Sequence, residues 1–347
     1  METSKKIYIF LIAITVVVVL IYAQSIIIPF VLAILFWFMI RVIKKLLSKI
    51  RLIRHWPKWI FTVISSVILL SFLVFTVEMI SSNIQDISNT FPVYEKNVNK
   101  ITQSINQQFD IDLSAMINDY TKNLNFGNLL SKLLSALTGL FGDAFTVLLY
   151  LIFILLEEPI FPKKIKAMYP DEKKHRNVNN LIKKIDHSIR NYIALKTLVS
   201  LLTGFLSYFV ILFIGVDAPL FWAFLIFVLN FIPTIGSLIA TIFPAIFAML
   251  QYGEFTPGLL VLVIVGAIQL IVGNLVEPRV MGNSLNISPL VVFLTLVLWG
   301  VLWGVIGMLL SVPITVILII TMSEFPGTRP IAILLSQKGN IKISDAE

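Results

Sequence analysis

Long apolar stretches separated by short polar or basic ones organise the whole chain. Residues 7–40, 60–81, 144–156, 197–216, 218–253, 255–276 and 280–323 contain a single charged residue among them, Glu78. A helix crosses the roughly 30 Å hydrocarbon layer with about 20 apolar residues. More than half of the chain therefore has the length and polarity of membrane-spanning helix. The first window is too long for one span and carries Gln24, Ser25 and Pro29 near its middle, which predicts helices over about 6–23 and 26–45 joined by a tight turn. Spans over about 59–81, 143–160 and 194–215 follow, the last stopping at Gly215, Asp217 and Pro219. Residues 219–250 exceed one upright helix and include Pro233, Gly236 and Pro244. A further span covers about 257–276, with the polar segment Glu277–Asn286 after it. Residues 288–321 would run roughly 50 Å as one helix. They must tilt, break or leave the membrane, and Gly300, Gly304, Gly307 and Pro313 offer places to do so.

The expected fold class is an all-α integral membrane protein of about eight transmembrane helices, some broken, with an external helical domain between spans 3 and 4. Lys5 and Lys6 before an apolar run also resemble the start of a signal peptide, but no small-residue cleavage site follows. An uncleaved first span is expected. The chain divides into N-terminal spans (1–81), an external amphipathic block (82–142), span 4 with a basic loop (143–193), a C-terminal core (194–322) and a tail (323–347).

Basic residues orient the array. Residues 41–58 carry Arg41, Lys44, Lys45, Lys49, Arg51, Arg54 and Lys58 with no acid, and 163–190 are again Lys- and Arg-rich. Both segments are expected on the cytoplasmic side. The block between them, with Lys96, Lys100, Lys122 and Lys132 against Asp86, Glu95, Asp110, Asp112, Asp119 and Asp143, belongs outside. An even span count returns the C-terminus to the cytoplasm beside the N-terminus. In the outer block, Ile84, Ile87, Phe91, Tyr94, Val98, Ile101 and Ile105 recur at three- and four-residue steps, the pattern of a helix facing another helix. Pro92 is expected to kink or restart that helix, and Leu129, Leu130, Leu133, Leu134, Leu137 and Leu140 form a second amphipathic stretch. These helices either cover one another and the membrane surface or join subunits as a collar.

Composition closes off most enzyme chemistry. The chain is 58% apolar and 13% charged, with a mean hydropathy of +0.93; soluble domains are about 45–50% apolar and roughly 25% charged. Cysteine is absent, which removes disulfides, thiolate metal sites and thiol nucleophiles. The three histidines form no HExxH pair, and no GxxxxGK[ST] loop or GxSxG elbow occurs. No cofactor is expected. The net charge of +8 reads as basic loops at an anionic membrane surface rather than as a nucleic-acid footprint. Conduction or gradient-driven transport remains, with the lipid bilayer and a small polar solute or cation as partners.

Two interrupted segments carry the candidate chemistry. In Asn230-Phe-Ile-Pro233-Thr234-Ile-Gly236-Ser237, proline removes a backbone donor and glycine permits sharp redirection. Half-helix ends together with Asn230, Thr234 and Ser237 would bind a polar solute; the alternative is a kink filled by neighbouring helices. The second segment comprises Gln269 and then Asn274, Glu277, Pro278, Arg279, Gly282 and Asn283. It is either an interfacial loop with a solvated ion pair or a segment dipping into the bundle, where an unpaired Glu277 would take a proton or cation. Glu78 is placed near the outer end of its span, and Lys196 is expected to snorkel to the interface.

These motifs, with Gly215-Val-Asp-Ala-Pro219 before the first and Asn-Ile-Ser-Pro289, Trp299-Gly300, Gly304, Gly307-Met308 and Val312-Pro313 after the second, resemble the autoinducer-2 exporter-like family of bacterial permeases. The resemblance is close over about 190–320. Thr234 departs from it, since many members carry an aromatic residue there. It implies a homo-oligomeric transporter of the bacterial inner membrane. Members have been linked to export of the autoinducer-2 signal and others to sodium/proton antiport. A furanone signal would use Asn230, Thr234 and Gln269; a cation would use Glu277 or broken-helix carbonyls. A non-transporting membrane scaffold is the reading from another class.

Overall fold

The computed structural model describes residues 2–53, 55–109, 144–281 and 286–339. Twelve α-helices and one π-helical turn account for nearly all of them, and no strand occurs among the described residues. Helices α1 (Glu2–Tyr22) and α2 (Gln24–Leu47) meet at Ala23, one residue before the Gln24-Ser25 pair at which the sequence predicts the turn. Helix α3 runs from Lys58 to Phe109. It continues past Ser81 and through Pro92, which corrects the expectation of a restart there. The second amphipathic stretch of the outer block lies outside the described residues.

Helices α4 (Ala144–Glu157) and α5 (Phe161–Met168) are bent by 65° at their junction, so the basic α5 turns away from the apolar α4. The 43-residue α6 (Glu172–Ile214) joins the basic loop to the fifth predicted span without a break. Next come α7 (Pro219–Leu229) and α8 (Ile235–Tyr252), which split the stretch 219–250 at the predicted place. Helix α9 (Phe255–Ile271), a π turn (Val272–Val276) and α10 (Glu277–Met281) form one 27-residue helix. The span does not end near 276 as expected, and Pro278 does not break it. Helix α11 (Pro289–Glu324) contains a break at Gly304 (φ 63°, ψ −142°), and α12 (Arg329–Leu335) is the short tail helix. Six described helices are long and apolar enough to cross a membrane, or seven counting the bent α4–α5 pair.

Burial is inverted relative to a soluble protein. Phe153, Leu156, Phe205, Phe213, Leu270 and Val301 are exposed, whereas Lys196, Ser200, Thr203, Ser207 and Gln269 are buried. Hydrocarbon solvates the first group at no cost, while the second must find polar partners inside the protein.

Two compact units result: Met1–Leu69, Gly142–Ala194 and Asn283–Glu347 form one, Leu70–Phe141 and Leu195–Gly282 the other. In the first, Arg41 on α2 sits 4.7 Å from the Trp37 ring, 3.5 Å from Glu158, and also pairs with Asp186 of α6. The indole of Trp37 donates to the same Glu158 at 2.9 Å. Trp303 of α11 donates to the Leu20 carbonyl of α1 at 3.0 Å. At the break in α11, a Cβ on Gly307 would lie 1.9 Å from the Trp299 carbonyl oxygen, so only glycine allows the two halves to approach this closely.

In the second unit, side chains satisfy the orphan carbonyls at the ends of α6 and α8. The Tyr252 hydroxyl donates to the carbonyls of Ile214 and Gly215 at 2.9 Å, and the Gln251 side chain bonds Gly215 and the amide of Asp217. The buried Asn97 amide donates to the carbonyls of Leu250 and Gln251, also at 2.9 Å. Gly253 (φ 68°) then stops α8 as a left-handed cap.

Candidate functional site

The site is built in the second unit from α6, the α7–α8 break and the α9–α10 helix. Helix α7 has only 11 residues, about 16 Å of helix. It ends at Asn230, and Pro233 then deprives the chain of the donor that would continue it. Thr234 takes φ 60°, ψ −59°, a conformation rare for a β-branched residue and costing on the order of 1–3 kcal/mol. The redirected chain folds α8 back against α7. A Cβ on Gly236 would stand 1.8 Å from the Leu229 carbonyl oxygen. The reversal therefore requires glycine at 236, where the sequence predicts a sharp bend.

The predicted residues of this segment separate by role. Asn230 is buried, and its amide donates to Ser200 Oγ of α6 at 3.1 Å. Ser237 Oγ turns back to the Thr234 carbonyl at 2.8 Å, which secures the start of α8, and Thr241 Oγ1 donates to the Ser237 carbonyl. Pro233 is partly exposed, and the Thr234 side chain is exposed.

In the second segment the π turn does the positioning. The amide of Glu277 donates to the carbonyl of Val272, five residues back. The widened turn makes room for Pro278, which cannot donate and whose ring crowds the preceding turn. One inserted residue also rotates the later residues by about 100° around the helix. Glu277 consequently meets Lys196 of α6, with Oε1 2.6 Å from Nζ. The Lys196 side chain is 5% exposed and that of Glu277 24%. Lys196 does not snorkel, and Glu277 is not an unpaired carboxylate; each neutralises the other. Asn274 is exposed and donates to the Leu270 carbonyl at 3.0 Å; Pro278 and Arg279 are exposed. Gly282 and Asn283 lie outside the described residues. Gln269 is 9% exposed, and its Nε2 has no hydrogen-bond partner among the described residues.

Both interrupted segments thus bond to α6 on adjacent turns, Glu277 at Lys196 and Asn230 at Ser200. None of the sequence-predicted site residues lies on α6. Yet Lys196, Ser200, Thr203 and Ser207 are spaced four, three and four residues apart, so they fall within about 60° of arc on one helix face. All are at most 4% exposed. Thr203 Oγ1 donates to the Val199 carbonyl at 2.9 Å, whereas Ser207 Oγ has no partner among the described residues. An unsatisfied buried hydroxyl costs roughly 1–3 kcal/mol. The spacing is visible in the sequence and is the signal that marks this helix.

Where the segments meet α6, the charges are those of the Lys196–Glu277 pair, which cancel, and the other polar groups there are the hydroxyl of Ser200 and the amide of Asn230; Arg279, two residues beyond Glu277, is exposed. A hydroxyl and an amide both donate and accept, which suits a neutral polar ligand. Among the described residues no group of three His, Cys, Asp or Glu is placed to hold a metal ion.

Comparison with known proteins agrees with this architecture. The sequence profile described as AI-2E family transporter matches residues 8–327. The AI-2 transport protein TqsA of Escherichia coli (strain K12) is 33% identical over 326 residues, covering 91% of this chain and 90% of that protein. A Haemophilus influenzae protein named "Putative transport protein" is 30% identical over 332 residues, covering 92% of each. A nearly full-length family match, two relatives aligned over almost all of both chains and a bundle of apolar, partly broken helices lead to one conclusion: the chain is a multi-spanning membrane transporter and belongs to the AI-2E family.

Proposed function

We propose that this transporter carries a small, neutral, hydroxylated solute of the autoinducer-2 kind, chemically unchanged and without ATP. The pathway residues are Asn230, Gln269 and Glu277, with Lys196 and Ser200 of α6. Pro233, Thr234, Gly236 and Ser237 shape the break, while Asn274, Pro278 and Arg279 shape the helix that carries Glu277. The carrying observation is that both interrupted segments reach one face of α6 on neighbouring turns, where the single carboxylate is already neutralised by a lysine. The Lys196–Glu277 pair disfavours a bare cation, which would have to displace Lys196 to reach Glu277. The name of TqsA supports the choice of solute. The basic segments 41–58 and 163–190 support a bacterial cytoplasmic membrane location with both termini inside. Association into a homo-oligomer through the outer helices completes the reading.

Purified protein in liposomes loaded with autoinducer-2 tests it. Efflux above that of empty liposomes is expected. Asn230→Leu, which removes the amide at similar volume, should lower efflux at least about tenfold, the kinetic equivalent of 1.4 kcal/mol. Sodium-dependent proton movement without solute efflux would replace this reading by antiport. Absence of both fluxes from folded protein would favour a scaffold.

A further inference from the structure

The bend between α4 and α5 leaves a short helix that the transport reading does not use. Glu157 ends α4, Pro159 withholds the donor that would continue it, and α5 departs at 65°. No residue of α5 is buried. At about 100° per residue, Phe161, Ile165 and Met168 fall within about 60° of arc, and Lys163 and Lys166 lie opposite them. Lys164 stands at the edge of the apolar arc and is spent on Glu157. The helix contains no acidic residue. The boundary between acyl chains and headgroups solvates both sides of such a helix at once, whereas water leaves Phe161 and Met168 exposed to it.

Neighbouring elements of the same unit put α5 at that depth. Glu158, at the bend, accepts the Trp37 indole bond at 2.9 Å and lies 3.5 Å from Arg41 Nε, both on α2. Three residues along α2, Lys44 donates to Thr62 Oγ1 of α3 at 2.8 Å. Helix α3 begins one turn before Thr62, with Lys58 and the exposed Trp59. Basic residues and exposed tryptophan at the ends of apolar helices mark the membrane surface. The ends of α2, α3 and α4 therefore share one level, and α5 leaves α4 there.

We propose that α5 is an interfacial helix that binds anionic phospholipid. Phe161, Ile165 and Met168 seat among the acyl chains, and Lys163 and Lys166 hold headgroup phosphates. Two lysines without an acid beside them complement an anionic headgroup and gain little from a zwitterionic one. The surface is thus selective for lipid charge, and it is separate from the residues that meet α6 at the two interrupted segments.

The absence of native cysteine allows a single reporter. Met168→Cys carries a bimane fluorophore in the full-length protein, reconstituted into liposomes of equal parts phosphatidylcholine and phosphatidylglycerol. Phe161→Cys repeats the measurement from the other end of the helix. Doxyl-labelled lipid should quench the bimane, and iodide present on both sides of the membrane should not. The phosphatidylglycerol probe should be enriched at the reporter about fivefold or more over the phosphatidylcholine probe, the preference that one lysine near the surface supplies. Lys163→Gln/Lys166→Gln should bring the two probes level. Lys173→Gln/Lys174→Gln, an equal loss of charge from exposed residues at the start of α6, should leave the preference in place. Quenching by iodide and not by lipid would leave α5 in water. Quenching by neither would seat its apolar side on protein, a second copy included. Either result overturns the proposal, as would equal losses from the two lysine pairs, which would reduce the preference to net charge.

Discussion

Replacing Glu277 by Gln removes one charge of the Lys196–Glu277 pair and nothing else of size. The two side chains differ in exposure, 5% for Lys196 and 24% for Glu277. Removing a partner from a buried pair costs about 3–5 kcal/mol, because the remaining charge stays uncompensated. Glu277→Gln strands the deeply buried lysine and should approach about 3 kcal/mol. Lys196→Met strands the carboxylate, which retains access to solvent, and should cost roughly half as much. With both charges gone, Lys196→Met/Glu277→Gln should return to within about 1 kcal/mol of the parent, since uncharged side chains of similar volume often replace such a pair without loss. The assay is thermal unfolding in detergent followed by size-exclusion chromatography of the four proteins as a double-mutant cycle. Equal single-variant losses that simply add in the double variant would refute the reasoning, because independent sites add and a shared buried charge pair cannot.

Further predictions concern the supports of the site. Gly236→Ala places a Cβ 1.8 Å from the Leu229 carbonyl oxygen and should abolish folded protein, whereas Gly266→Ala meets Thr241 Cγ2 at an ordinary 3.7 Å and should be tolerated; yield of monodisperse protein in detergent reads both. Asn97→Ala loses both bonds to the end of α8 and should destabilise by about 1–3 kcal/mol, with faster amide exchange confined at first to residues near Gly253. Arg41→Lys retains the charge but cannot serve Glu158, Asp186 and the Trp37 face together; its melting temperature should fall below the parent's and lose sensitivity to Trp37→Phe.

The sequence alone determined the class of molecule, because a charge-free apolar run of span length has one physically stable setting. It also located the break at Pro233 and Gly236 and offered Gly304 among four places for the break in α11, whereas Pro92 and Pro278 are carried within continuous helices. Proline and glycine act through local backbone geometry, but whether a given one interrupts a helix depends on what surrounds it. Their partners were decided by tertiary structure. No local rule predicts that Glu277 finds Lys196 across 81 residues, or that a π turn before Pro278 carries a helix on past the polar residues expected to end it. Helix α6 shows the division within one element: its four-three-four spacing of Lys196, Ser200, Thr203 and Ser207 was written in the sequence, but whether that face met lipid, water or protein depended on what packed against it. Backbone preference is a property of neighbours along the chain, whereas pairing and burial belong to neighbours in space.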